Sequence, residues 1–209
     1  MPRMRGIVGI EAAIVLIAFV LVASALAFVA INMGMFASQK SKEVMAKAYE
    51  ASTRALDVAG SAIAKVDTAS EQVVMVYVPV KLAAGASPID LNKTVVSVLI
   101  QDPIGNDVAI ADAVSNASVE NITNLGDITG LNSYEARWFA TSKSDTGRLL
   151  EQGEILILAI NVTNSTGAGL PAYSTVEIEI KPPIGAPLLV RYEVPPILTS
   201  DYIDLIIGG

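Results

Sequence analysis

The first forty residues of the chain carry an almost unbroken run of apolar side chains. The stretch from Ala12 to Gln39, 28 residues long, contains no charged residue, and Glu11 stands just before it. Nothing in such a run faces water, so it cannot be the surface helix of a soluble domain. At about 1.5 Å per residue, a helix of this length reaches roughly 42 Å, more than the ~30 Å hydrocarbon core of a bilayer. The pattern predicts a helix that spends part of its life in a membrane.

The apolar pattern continues beyond Gln39 at helical spacing. Positions three or four residues apart are occupied by Val44, Ala48, Ala51, Ala55, Val58, Ala62 and Val66. No proline interrupts this part of the chain, and only Gly9, Gly34 and Gly60 weaken the helix. We therefore expect one helix over residues 7–66, about 90 Å long. The rest of the chain is too small to cover such a helix, so another body must bury it.

Small side chains mark the surface by which this helix would pack. Alanine and glycine let helix backbones approach closely, and in lipid this close packing must supply the attraction because lipid tails are as apolar as leucine. The candidate packing positions are Ala23, Ala27, Ala30, Gly34, Val44, Ala48, Ala51, Ala55, Val58 and Ala62. They predict a subunit that waits in the membrane and then enters a bundle of identical helices. A helix packed on its own domain and a simple transmembrane dimer remain alternatives.

From about Asp67 the period of the pattern changes from helical to alternating. Seven β-rich runs occur at Gln72–Val80, Thr94–Gln101, Asp107–Ala111, Glu135–Ser142, Glu154–Val162, Thr175–Lys181 and Leu188–Val194. Short strands without intervening helices favour a β-sandwich of the immunoglobulin-like kind over residues 67–209. The segment Ser115–Gly130 is interpreted as a polar loop, and Tyr202–Ile207 as an edge strand or a contact with a neighbour. The predicted class is α+β, a long N-terminal helix followed by an all-β domain.

The composition of the chain excludes several classes of function. The formal charge is −7, and it becomes −9 if Met1–Gly6, with Arg3 and Arg5, is removed. Such a surface repels phosphate groups, so nucleic acid is not an expected partner. Cysteine and histidine are both absent, which removes thiolate chemistry and the commonest general base and metal ligand. We expect no enzyme, no cofactor and no metal site, and we interpret the acidic turns at Asp102–Asp107 and Ser144–Gly147 as plain turns.

The N-terminus admits three interpretations. Arg3 and Arg5 precede the apolar run, so the N-terminus should stay cytoplasmic, as in an ordinary single-span anchor. A secretory signal cleaved after Ala27 is a second possibility. However, Glu11 interrupts its apolar region, and a mature chain beginning at Phe28 would expose a sticky tail. The third interpretation retains the helix and removes only residues 1–6.

This third interpretation follows from a resemblance. Arg5-Gly6 before an apolar helix with a carboxylate at its fifth residue, Glu11, resembles the class III signal of type IV pilin-like proteins. Residues 6–19 and the later stretch Asn32–Ser41 are similar to the N-termini of archaeal flagellins, or archaellins. The resemblance covers roughly residues 1–50. It implies that a prepilin-type peptidase cuts between Gly6 and Ile7, and that the new α-amino group of Ile7 pairs with Glu11.

Five Asn-X-Ser/Thr sequons fall in the predicted external domain. They begin at Asn92, Asn116, Asn121, Asn161 and Asn164. A single sequon is weak evidence because these residue types are common in loops. We expect at least two of them to carry glycans.

Together these features predict a structural subunit of the archaellum, the rotating surface filament of archaea. The helix would form the filament core, the sandwich its outer shell, and sister archaellins could share the filament. The expected partners are copies of the chain, the membrane before assembly, the prepilin-type peptidase and the motor and assembly machinery. The alternatives are an archaeal adhesive pilus subunit and a membrane-anchored module that binds the cell wall. The helical extension from Ser41 to Val66 argues against the anchored module, which needs only one membrane span.

Overall fold

The computed structural model describes residues 5–105, 107–141 and 147–207, without the side chains of residues 5–8 and 115–118. The chain divides into a helical unit that ends at Tyr49 and a β unit from Glu50 to Gly209. This confirms the predicted class, a long N-terminal helix followed by a β-rich domain.

One helix, α1, spans Arg5–Ser52. Its residues are mostly alanine, leucine, isoleucine and valine, and it contains no proline. The last turn closes when the Thr53 hydroxyl donates to the Glu50 carbonyl at 3.0 Å. The Thr53 carbonyl then accepts a hydrogen bond from the Ala186 amide at 2.9 Å, so the backbone leaves the helix for the β unit.

The prediction that the helix continues to Val66 is wrong. Ala55 and Ala62 lie in the core of the β unit, 7% and 0% exposed, and Val58 packs against that core from the first strand. Spacings of three and four residues fit a helical stripe, but they also place these side chains inward from an irregular extended segment. Pairing with another strand here outweighs local helix propensity, which is a weak preference. Residues 53–66 therefore belong to the β unit, and Ala55, Val58 and Ala62 are not helix-packing positions.

The described part of the β unit contains fourteen strands. They are β1 Leu56–Val58, β2 Ile63–Asp67, β3 Gln72–Leu82, β4 Ile89–Asp90, β5 Val95–Gln101, β6 Val108–Ile110, β7 Val114–Ile122, β8 Ala136–Thr141, β9 Leu149–Leu150, β10 Ile155–Asn161, β11 Thr175–Lys181, β12 Leu188–Glu193, β13 Tyr202–Asp204 and β14 Ile206–Ile207. Each of the seven predicted β-rich runs contains a strand. The C-terminal segment forms two edge strands, as one of its two interpretations predicted.

Two sheets share one core. The first has the order β13-β2-β3-β10-β8-β7, with β1 also pairing β3, and the second has the order β14-β12-β11-β5-β6. The short β4 and β9 pair separately. At the centre of the first sheet, Leu158 of β10 lies opposite Val78 of β3 and Trp138 of β8. These side chains join Val98 and Ile178 of the second sheet in one buried cluster, which is the interior of a two-sheet sandwich.

The outer face of the first sheet is covered as well. Met75 and Tyr77 of β3 and Phe139 of β8 point away from the sandwich interior into a second buried cluster. Ile128, which is 1% exposed, lies in the connection between β7 and β8 and packs into this cluster. The connection therefore acts as a third layer over one face of the sheet.

The interpretation of Ser115–Gly130 as a polar loop is wrong in its first half. Strand β7 pairs with β8 in parallel, and a parallel pair requires a crossover connection. Val119, Ile122 and Ile128 are 7%, 9% and 1% exposed, so three large apolar residues of this polar stretch are buried. Their irregular spacing among serine and asparagine residues hides both the strand and the crossover from a periodicity analysis.

Candidate functional site

Helix α1 is bare from Gly9 to Tyr49. Every described side chain from Gly9 to Tyr49 is exposed, including Phe19 at 73% and Phe36 at 67%. Its most apolar window has a mean hydropathy of 3.1 and is 0% buried, so by length and composition the helix can cross a membrane. Apolar surface left in water costs about 25 cal/mol per Å². The helix must therefore be covered by lipid or by other protein.

The remaining predicted packing positions all lie on this bare surface. Ala23, Ala27, Ala30, Gly34, Val44, Ala48 and Ala51 belong to α1 and are exposed in the single chain. A Cβ atom added to Gly34 would meet nothing within 4 Å, so the chain itself gives no reason for a glycine there. This openness is consistent with a glycine whose close neighbour belongs to another molecule.

The processing positions lie at the beginning of α1. Gly6 and Ile7 are in the first turns of the helix, and residues 1–4 lie outside the described residues. Glu11 is exposed one helical turn after Ile7. Its proposed partner, the α-amino group of Ile7, would exist only after cleavage, so the pairing remains a prediction.

A junction within the β unit, which the sequence analysis missed, fixes the end of the helix. The Ser87 hydroxyl donates to the Glu50 carboxylate at 2.6 Å, and Arg54 forms a parallel bridge with Ala186. Gly185 has φ = 95°, and a Cβ atom there would lie 2.6 Å from the Ala55 Cβ. The glycine after the Pro182-Pro183 pair was a turn signal, but its neighbour 130 residues earlier could not be identified from sequence.

The structure separates the sequons by accessibility. Asn92 is exposed in a short 3₁₀ turn. Its backbone amide donates to the Asp90 carboxylate at 3.0 Å, and this hydrogen bond lowers the pKa of Asp90. Asn121 is exposed in β7, while Asn116 lies in the same strand with its side chain outside the described residues. Two of the sequons therefore lie in a strand that the sequence analysis interpreted as a loop.

The adjacent sequons Asn161 and Asn164 are both half-buried. The Asn161 Nδ2 atom, to which a glycan would be attached, donates to the Leu131 carbonyl at 3.0 Å. The Asn164 Oδ1 atom instead accepts from the Thr166 hydroxyl at 2.6 Å and from the Thr166 amide at 3.0 Å. A glycan on Asn161 would replace one of the two Nδ2 hydrogens and crowd the hydrogen bond that holds the β7–β8 connection, so Asn164 is the more available of the two.

Catalytic or metal chemistry finds little support in the described structure. Across residues 5–105, 107–141 and 147–207, no group of three or more acidic side chains could hold a metal ion. Asp102 accepts a hydrogen bond from the Ile104 amide at 3.0 Å, the geometry of an ordinary Asx turn. The Asp-Thr-Gly string begins outside the described residues.

A bare apolar helix joined to a compact β domain defines a chain whose helix must be covered by lipid or by other protein. Comparison with known proteins identifies the family: residues 6–192 match the model of the archaeal-type flagellins, and the chain belongs to that family. A flagellin is the repeating subunit of a swimming filament, so this chain is a structural filament subunit for motility.

Relatives of similar length support the assignment. A probable flagellin 1 of Aeropyrum pernix is 40% identical over 199 residues, which cover 93% of this chain and 94% of the relative. A probable flagellin 1 of Archaeoglobus fulgidus is 35% identical, covering 94% and 93%.

Solved structures show the same architecture. The subunit in the archaeal flagellum of Methanospirillum hungatei has a TM-score of 0.52 and 26% identity, and the match covers 95% of this chain and 99% of that one. Flagellin FlaB1 of Methanocaldococcus jannaschii has a TM-score of 0.57 at 20% identity, covering 72% and 95%, and supports the fold.

Proposed function

We propose that α1 of each copy forms the core of the filament and that the β unit forms its shell. The observation that carries this proposal is the bare helix: more than forty residues of mostly apolar surface are uncovered by the chain itself. Identical helices packed together would remove this surface from water. The small residues Ala23, Ala27, Ala30 and Gly34 would let their backbones approach closely.

Before assembly the subunit resides in the membrane through the same helix. Lipid tails are as apolar as the side chains of α1, so transfer from the bilayer to a bundle of helices changes the hydrophobic free energy little. Assembly therefore needs an external source of energy, and we infer that an assembly ATPase and a rotary motor at the filament base are partners. The filament itself is an extracellular surface structure. Sister flagellins could share it, because the packing surface is common to any chain with this helix.

We further propose that a prepilin-type peptidase removes residues 1–6. Cleavage between Gly6 and Ile7 would leave the whole apolar part of α1 on the mature chain. It would also remove Arg3 and Arg5, the two positive charges that hold the N-terminus on the cytoplasmic side. The mature helix would then begin with an α-amino group whose charge is opposite to that of Glu11.

Glu11 is the proposed partner of this amino group, within one helix or between neighbouring copies. A carboxylate near the end of a membrane helix is costly unless it is paired or reaches the headgroups. Replacing Glu11 with Gln should impair filament assembly and leave membrane insertion intact. Glu151→Gln is the control because it makes the same chemical change at an exposed position of the β unit, away from the helix. Full-length filaments from Glu11→Gln cells, seen by electron microscopy in normal numbers, would refute the pairing.

The outer surface is proposed to be glycosylated at two or more sequons. Asn92 and Asn121 are exposed. The side chain of Asn164 is held through its Oδ1 atom, which accepts from Thr166, and not through Nδ2, the atom that would carry a glycan. We expect these three to be modified more fully than Asn161, whose Nδ2 atom is engaged with Leu131. Peptide mass spectrometry of purified filaments measures the occupancy of each site. Bare asparagine at every sequon would contradict the proposal.

We propose that the protein has no catalytic activity of its own.

Because α1 ends at Ser52, the length of the helix no longer argues against a simple anchored module. Membership of the archaeal-type flagellin family argues against that module instead. The choice between swimming and adhesion is tested by deleting the gene and observing the cells. Loss of swimming with normal surface attachment supports the archaellum, and the reverse supports an adhesive pilus.

A further inference from the structure

A basic segment follows the apolar part of α1. Lys40, Lys42 and Lys47, with Glu43 among them, form what we call the basic collar, and all four side chains are exposed. The Lys40 and Lys47 ammonium groups lie 2.9 Å and 2.8 Å from the two oxygens of the Glu43 carboxylate. Glu43 is thus already paired twice, and the collar keeps a formal charge of +2.

The ion pairs within the collar leave part of its positive charge without a partner. Lys42 precedes Glu43 by one residue, which places it about 100° around the helix from the paired face. It forms no ion pair with any residue that the structure describes. Positive charge is therefore presented on more than one side of a helix that is otherwise apolar up to Gln39.

The rest of the molecule has the opposite charge. Five of the 14 basic residues and two of the 21 acidic residues precede Glu50, so the β unit has a formal net charge of −10. A filament that places many such units side by side must offset their mutual repulsion. The mature helical unit, from Ile7 to Tyr49, carries most of its positive charge in the collar.

Helix length favours protein over lipid headgroups as the partner of the collar. With Glu11 at the inner membrane surface, Lys42 would lie about 46 Å along the helix axis and Lys47 about 54 Å. A bilayer is about 40–45 Å thick with its headgroups included. Even with a tilt of about 20°, a helix held at Glu11 carries Lys47 beyond the headgroups and Lys42 to their outer edge.

We propose that the basic collar of one copy docks against the acidic surface of the β unit of a neighbouring copy. The inference rests on the proposed filament, in which helices form the core and β units the shell. In chain order the collar lies between these two parts, so it occupies the boundary between core and shell. This charged contact fixes the position of one subunit relative to its neighbour. The apolar core cannot do so because it has no directional interactions.

The test compares two double variants with the same net charge. Lys42→Gln with Lys47→Gln removes two positive charges from the collar, and glutamine keeps a helix propensity close to that of lysine. Lys93→Gln with Lys181→Gln removes two exposed lysines, each paired with an acidic residue of its own β unit, Asp90 and Glu179. Filaments are heated at several NaCl concentrations, and released subunits are measured after pelleting.

At low salt the collar variant should release about threefold to fivefold more subunit per lost lysine than the wild type. The control should behave like the wild type. The difference should shrink as salt rises above about 0.15 M, where the screening length falls below about 8 Å. Equal release by the two double variants overturns the collar contact. Normal filament stability with less membrane-bound precursor also overturns it, and assigns the collar to lipid headgroups. If the wild-type filaments lack a helical core by electron microscopy, the proposed function itself fails.

Discussion

Gly169 lies where two backbone segments of the β unit touch. Its amide donates to the Gln72 Oε1 atom at 2.9 Å, and a Cβ atom there would come closer than 3.0 Å to both the carbonyl oxygen and the carbonyl carbon of Val73. Gly169→Ala should therefore push two paired segments apart and destabilise the unit by about 2–3 kcal/mol. Gly126→Ala is the matched control, because its nearest neighbour, the Tyr202 hydroxyl, lies at 3.7 Å.

Denaturation of the full chain in detergent measures both changes. Trp138 is the sole tryptophan of the sequence and is fully buried, so its fluorescence reports unfolding of the β unit and not of α1. An equal midpoint for Gly169→Ala and Gly126→Ala would show that the close approach has no energetic role. The sequence could not predict this contact, because a glycine in a Thr-Gly-Ala-Gly loop suggests a turn and not a distant neighbour.

At the scale of elements, the β7–β8 connection stabilises the first sheet by covering it. Ile128 is 1% exposed against Met75, Tyr77 and Phe139, so Ile128→Ala should cost about 2–4 kcal/mol. In this variant, amide hydrogen exchange should become faster in the covering connection, residues 123–135, before it becomes faster in β3. Ile197→Ala, at a position that is 69% exposed, should change stability by less than about 0.5 kcal/mol. If both variants lose the same stability, the connection is not a packed layer.

The sequence predicted elements where one pattern dominated locally. The start of α1 and strands such as β11 follow from uninterrupted apolar runs or clean alternation, which need no distant information. The end of α1 and strand β7 were missed because each depends on a non-local partner: Ala186 for Thr53, and for β7 the parallel strand β8, whose paired residues lie 19 to 22 positions later. The sequons were found from sequence, but only the hydrogen bond from Asn161 to Leu131 distinguishes it from Asn164.

The whole molecule combines a bare helix with a well-packed β unit. The β unit buries a two-sheet core and a second cluster of its own, whereas α1 buries none of its apolar window. The two units also differ in charge, since nearly all acidic residues follow Tyr49. Such a molecule is incomplete as a monomer, and copies of itself can cover the helix.

The central claim is that α1 stays on the mature chain and becomes the core of the filament. Mass spectrometry of the N-terminal peptide from purified filaments tests it most directly. We predict a chain that begins at Ile7, with every residue of α1 from there onward present. A chain that begins near Phe28, without the first part of the helix, would contradict the account.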